Sequence, residues 1–251
     1  MNDPSLPVIV VPCFNEERRL DTAAFAELAD SGRIRLLFVD DGSRDGTPRV
    51  LGKLAESSPG IDILELIVNG GKGEAIRHGM RRALEGGANV TGYYDADLAT
   101  PPRELLRLVA FLADHPALEV VMGSRVRLLG RSIARNPARH YLGRVFATLA
   151  SLALGVPVYD TQCGAKVFRA TDALTQALQT PFRSRWAFDV ELIGRLLKAT
   201  GDAPPLRVDA FAEVPLLEYR NVGGSKLRFS GMLGAVAALL VIAVDLRRSR
   251  M

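Results

Sequence analysis

Cysteine is almost missing from this chain. Cys13 and Cys163 are the only two among 251 residues, and they lie 150 positions apart. Such a pair builds no disulfide framework and no zinc-ligand spacing, and it fits a reducing compartment. Two phosphate-binding signatures are also missing. Gly71-Lys72 is followed by Gly73 where a Walker A motif needs Ser or Thr, and no G-x-G-x-x-G follows the first apolar run, which argues against a nicotinamide dehydrogenase. No nucleic-acid-binding motif, internal repeat or low-complexity segment is visible, so nucleic acid is not an expected partner. The chain reaches the polar run Asn15-Glu16-Glu17-Arg18-Arg19 too soon for a signal peptide. Phe229 to Val244 is apolar for 16 residues apart from Ser230. That is short of the roughly 20 needed to span a bilayer.

What is present is globular in proportion: 48% apolar and 24% charged residues. The mean hydropathy of +0.11 points to some surplus apolar surface. A net charge of +4 and a pI near 9.3 favour anionic partners: nucleotides, phosphates or anionic lipid surfaces. The length suffices for one large or two small domains with a real core.

Short β-branched runs alternate with helical stretches. Strands are expected at Leu6–Val11, Arg35–Val39, Ile61–Val68, Val90–Tyr94 and Glu119–Met122. Helices are expected at Arg19–Ala29, from the Thr47-Pro48 start to about Ser57, after Gly73 to about Glu85, and at Pro101–Asp114. Further on come a helix at Tyr141–Leu154, a turn from Asp160 running into a short strand by Phe168, a helix from Arg185 to about Thr200, and a strand at Arg207–Leu217. This order predicts an α/β fold with a mostly parallel, Rossmann-like sheet and helices on both faces.

The polar residues fall where such a sheet puts its ligands. Five strands run into loops carrying Asn15/Glu16, Asp40/Asp41, Gly71-Lys72-Gly73, Asp95/Asp97 and Ser124/Arg125, all at the carboxyl edge. Strand alternation is expected to point Asp95 and Asp97 the same way. Two carboxylates cannot hold a diphosphate by themselves, but with a hard divalent cation between them they can. The plainer reading is a polar strand end followed by a helix start. The glycines around Lys72 likewise serve either a phosphate or only a helix entry. Arg125, Arg127, Arg131, Arg135, Arg139, His140 and Arg144 form either a solvated basic face or a grip on phosphate. The 229–244 segment is either a core helix or an interfacial helix whose basic tail rests on anionic lipid.

Taken together, these motifs resemble the family 2 inverting glycosyltransferases of GT-A fold, most closely the dolichyl-phosphate (polyprenyl-phosphate) β-glucosyltransferases. The pieces that carry the resemblance are Val10–Leu20, Val39–Thr47, Asn69–Gly73, Asp95-Ala96-Asp97, Gly123–Arg125, Asp160–Gly164, Arg185–Leu192 and Gly224–Leu227, in family order. The chain is expected to depart from that branch in having no N-terminal anchor such as the eukaryotic relatives carry, and it has Ala165 where Phe is usual and Gly70 where Arg is common. The resemblance implies a catalytic domain over 1–228, with a nucleotide-sugar half (1–125) and an acceptor half (126–228), followed by an apolar C-terminal helix and basic tail (229–251).

It further implies transfer of glucose from UDP-glucose to a dolichyl or undecaprenyl phosphate. The alternatives are GDP-mannose as donor or a soluble sugar as acceptor. By the same resemblance the donor is held by Pro12, Asn15, Glu16, Asp40, Asp41, Lys72, Asp95, Ala96 and Asp97, with Mg²⁺ or Mn²⁺ on Asp95 and Asp97. Asp189, Arg125 and Lys226 take catalytic roles. Arg125, Arg131, Arg135, Arg139, Gln162, Ser225 and Lys226 meet the acceptor phosphate. A lipid acceptor places the protein on the cytoplasmic face of a membrane, peripheral or monotopic.

Overall fold

A computed structural model of the protein describes residues 5–134, 137–198, 201–220, 222 and 239, without the side chains of 137–140. The first half runs β1 (Val8–Cys13), α1 (Thr22–Asp30), β2 (Arg35–Asp41), α2 (Thr47–Ser57), β3 (Ile61–Leu66), α3 (Lys72–Glu85), β4 (Val90–Tyr94), α4 (Pro102–Asp114) and β5 (Val120–Ser124). The second half continues with β6 (Ser132–Ile133), α5 (Pro137–Leu154), β7 (Ala165–Arg169), α6 (Asp172–Ala177), α7 (Phe188–Leu196), β8 (Phe211–Pro215) and β9 (Glu218–Tyr219).

Seven strands form one sheet in the order β3-β2-β1-β4-β7-β5-β8. Every pairing is parallel except those of β7, which lies antiparallel between β4 and β5. The expected α/β architecture is therefore present. The sheet runs through both halves, because β8 adds to β5 from far along the chain. β6 and β9 pair separately.

Period-two alternation divides the core in two. In β1, Val8 and Val10 face α3, α5, α6 and α7, whereas Ile9, Val11 and Cys13 face α1, α2 and α4. Each fully buried aliphatic or aromatic side chain contributes about 1.5–3 kcal/mol of transfer free energy. A sheet covered on both faces explains why its inner strand β1 reads as an unbroken apolar run. β7 lies unusually close to β4: a Cβ on Gly92 would fall 2.3 Å from the Lys166 carbonyl oxygen, so only glycine fits there.

Several boundaries differ from expectation for local reasons. α1 begins at Thr22 because the Asp21 carboxylate caps the Ala24 N–H, leaving Arg19 in a turn. β3 stops at Leu66, and Ile67 and Val68 are exposed. The helix expected from Arg185 starts at Phe188 and ends at Leu196. The strand expected from Arg207 opens as a 3₁₀ turn at Val208–Ala210, closed by Ala210 N–H donating to the Arg207 carbonyl, before β8 begins. The 229–251 segment lies outside the described residues except Leu239, which is helical and buried in the core.

Candidate active site

The chain winds outward from β1 through β2 to β3, then returns to the other side of β1 as β4. The carboxyl ends of β1 and β4 therefore flank the crevice where open α/β sheets bind ligands. Asn15 follows β1 and Asp95 follows β4. Asn15 and Leu98 are the positive-φ non-glycine residues of the described chain, at 54° and 53°, and both stand beside this crevice.

Asp95 is seated by the second half of the molecule. Its N–H donates to the Gly164 carbonyl at 2.9 Å. Its carboxylate lies directly over Gly164, where an added Cβ would fall 2.1 Å from Oδ2. Oδ1 faces the Lys72 ammonium at 2.6 Å. Lys72 opens α3, behind Gly71 at φ 92°. Desolvation opposes charge on Lys72, but Asp95, Asp189 and Asp97 outweigh it and hold its pKa above the ordinary lysine value.

Strand alternation, expected to align Asp95 and Asp97, does not extend to them. β4 ends at Tyr94, and a turn through Ala96 and Asp97 carries the second carboxylate. Asp97 Oδ1 accepts the Ala99 N–H at 3.0 Å, which sets the turn. Among the described residues no cluster of three or more His, Cys, Asp or Glu could hold a metal alone. The protein thus offers two carboxylates, one of which, Asp95, already faces a positive charge. A hard divalent cation that completes its shell with ligand phosphate and water fits that donor set.

Beneath this turn lies a buried pair. Lys166 Nζ donates to Asp189 Oδ1 at 2.8 Å and to the Cys163 carbonyl at 2.7 Å, and the Tyr93 hydroxyl donates to the same Asp189 oxygen. Asp189 is therefore engaged and buried rather than standing open to solvent. Burial pushes the Cys163 thiol up to about 11, and the Cys13 thiol higher, so neither is a ready nucleophile.

Asp40 and Asp41 are buried and organise loops. Asp40 Oδ1 accepts from the Ser43 N–H and hydroxyl. The Asp41 carboxylate accepts from Asn69 Nδ2, Gly70 N and Gly71 N at 2.7–2.8 Å. Arg185 reaches the same loop from the other half, donating to the Gly70 carbonyl and to both Asn69 oxygens at 2.9–3.0 Å. Asn15 N–H donates to Ser43 Oγ, its Oδ1 accepts from Arg44 N, and Glu16 N–H donates to Thr47 Oγ1. Pro12 is partly exposed at the end of β1, and Ala96 is partly exposed in the Asp95 turn.

On the other side of the site, Arg125 makes a bidentate bond to Asp160 at 2.7 and 2.8 Å. The Gln162 N–H donates to the same carboxylate. Arg125 also lies 5.4 Å from the Tyr219 ring centroid. Arg131 is exposed in the turn before β6. Arg135, Ser225 and Lys226, and the side chain of Arg139, lie outside the described residues. Sequence reasoning gave no role to Lys166, Tyr93, Asp160 or Arg185. A signal for Lys166 was present: it is a cation at a core-facing position of an apolar strand, between Ala165 and Val167.

Residues 8–174 match the family described as Glycosyl transferase family 2. A dolichyl-phosphate beta-glucosyltransferase of Trichomonas vaginalis is 32% identical over 251 residues, covering 95% of this chain and 71% of the relative. A dolichyl-phosphate beta-glucosyltransferase of Drosophila melanogaster is 37% identical over 210 residues, covering 76% of this chain and 63% of the relative. Among solved structures, glucosyl-3-phosphoglycerate synthase from Mycobacterium tuberculosis, in complex with Mn²⁺, UDP and glucosyl-3-phosphoglycerate, superposes with a TM-score of 0.65. It is 20% identical and the match covers 96% of this chain and 80% of that one, a likeness of fold.

Proposed function

Because the chain belongs to glycosyl transferase family 2, we propose that it transfers glucose from UDP-glucose to a polyprenyl phosphate with inversion at the anomeric carbon. The observation that carries this reading is Asp95 at the β1/β4 crevice, seated on Gly164 and facing Lys72. The dolichyl-phosphate beta-glucosyltransferases similar to it over most of its length supply the donor sugar and the acceptor class.

Asp95 and Asp97 would hold a divalent cation, Mg²⁺ or Mn²⁺, and when bound it neutralises charge on the departing diphosphate. Lys72 brings a point charge to the same place, at the N-terminus of α3 where backbone N–H groups also favour an anion. The Asp41-organised loop at Asn69–Gly71 shapes the approach to that helix end. Asn15, Glu16 and Pro12 border the base and ribose.

The acceptor explains why no strong base need be present. A phosphate monoester has its second pKa at about 6, so near neutral pH most of it is already a dianion. It requires cationic grip and aim. We assign that to Arg125, Arg131, Arg135, Arg139, Ser225 and Lys226, with Arg125 aimed by Asp160, whose carboxylate also accepts from the Gln162 N–H. Asp189 takes an orienting role.

A polyprenyl phosphate resides in a bilayer, so the protein must touch one, and we place it peripherally on the cytoplasmic face. Among the described residues no helix is long and apolar enough to cross a membrane. α5 exposes Tyr141, Leu142, Val145 and Leu152, and the loop before β6 exposes Leu129. These side chains next to the arginine-rich loop suit an interfacial contact.

The test is transfer of label from UDP-glucose into organic-extractable lipid, with undecaprenyl or dolichyl phosphate and Mg²⁺ or Mn²⁺. Lipid label from UDP-glucose is expected. Label only from GDP-mannose would replace the donor, and label only in a soluble acceptor would replace the lipid.

A further inference from the structure

Tyr93 and Lys166 stand opposite each other on β4 and β7, on the same face of the sheet. That face is packed with apolar side chains, including Phe168 two residues along β7 and Phe188 at the start of α7. A lysine placed there must lose its water, so its partners have to replace that hydration. They are well placed to do so. Nζ donates to the Cys163 carbonyl and to Asp189 Oδ1, and lies 5.0 Å from the Tyr93 ring centroid.

These partners belong to three segments that each carry part of the site. Tyr93 is on β4, the strand that leads into Asp95. Cys163 precedes Gly164, the residue under the Asp95 carboxylate. Asp189 is in the first turn of α7, whose leading loop sends Arg185 to Asn69 and Gly70. Both the Tyr93 and the Lys166 bonds fall on Oδ1 of Asp189, so Oδ2 takes no part in them.

We propose that Lys166 is a positioning residue for the transfer reaction: its ammonium fixes Asp189, through one carboxylate oxygen, against the turn that seats Asp95. This rests on the transferase reading above. Lys166 itself does not reach the crevice and acts through Asp189 and the Cys163-Gly164 turn.

The experiment compares wild type, Lys166→Met, Lys166→Arg, Asp189→Asn and the double variant Lys166→Met/Asp189→Asn, scored as kcat and donor KM per folded molecule. Misplacement of a site group by about 1 Å costs on the order of 100-fold in rate. We expect Lys166→Met to lose kcat on that scale with donor KM within about threefold. Lys166→Arg should recover about tenfold of it by keeping a cation on Asp189. Lys166→Met leaves a lone buried carboxylate and can fail to fold. The double variant removes both charges, and its kcat should match that of Asp189→Asn within about twofold, because coupled groups are not additive.

A folded Lys166→Met, or double variant, with kcat within about threefold of wild type would overturn the proposal. So would a double variant whose loss is the product of the two single losses. Failure of the underlying reading looks different: the wild-type protein itself would transfer nothing.

Discussion

The two halves of the molecule satisfy their buried charges in different ways. In the first half, Asp40 and Asp41 are held by N–H and side-chain donors of neighbouring strand-end loops, from Ser43 to Gly71. In the second half, buried charges meet across long stretches of chain: Arg125, just after β5, with Asp160, 35 residues on, and Lys166 with Asp189, 23 residues on. The first arrangement makes a rigid rim from loop backbone. The second cross-links segments that the parallel sheet does not itself fix, because β7 runs against its neighbours and β6 and β9 stand apart. A buried ion pair tolerates loss of one partner poorly, at about 3–5 kcal/mol, whereas a carboxylate sharing several N–H donors gives up about 1 kcal/mol per bond.

The sharpest way to break this division is at Gly164, which belongs to the second half but seats a carboxylate of the first. Gly164→Ala places a methyl 2.1 Å from Asp95 Oδ2, so the carboxylate must move. Transfer should fall about 100-fold with far-UV circular dichroism unchanged. Next in size is Arg125→Lys, which forfeits the bidentate bond to Asp160. We expect about 1–3 kcal/mol lost in urea denaturation and a raised KM for lipid phosphate, with donor KM unchanged. Asp41→Asn should have the mirror-image effect at smaller scale. It weakens the grip on the Gly70 and Gly71 N–H groups and raises donor KM severalfold, at about 1 kcal/mol in stability, while acceptor KM stays put. Equal changes in both KM values from either variant would dissolve the comparison.

This difference also decides what could be read from the chain. The strands of the first half were visible because β1, β2 and β4 are short, mostly buried runs, and the loop after each carries turn-forming residues. Asp95 was identified from its place after Val90–Tyr94, although the turn that carries Asp97 was not, since it is set by a single bond from the Ala99 N–H. The boundaries that slipped did so through single local bonds, as at the Asp21 cap and the Ala210–Arg207 turn. In the second half the meaning of a residue depends on a partner far away. Nothing near Arg185 announces that it clamps Asn69, and nothing near Arg125 announces Asp160 as its partner. The Asp160–Gly164 and Arg185–Leu192 pieces were legible only as a resemblance, and geometry supplies their physical reason: one cradles Asp95, and the other brings Asp189 and Arg185 to the site.

The central claim is that the crevice at Asp95 and Asp97 binds a nucleotide diphosphate through a divalent cation. Calorimetric titration of UDP-glucose into wild type and Asp97→Ala, each with Mn²⁺ and with EDTA, tests it most directly. The account predicts that wild type binds at least about tenfold more tightly with Mn²⁺ than with EDTA, and that Asp97→Ala loses this difference while its melting temperature changes little. Equal affinity for wild type with Mn²⁺ and with EDTA would contradict it.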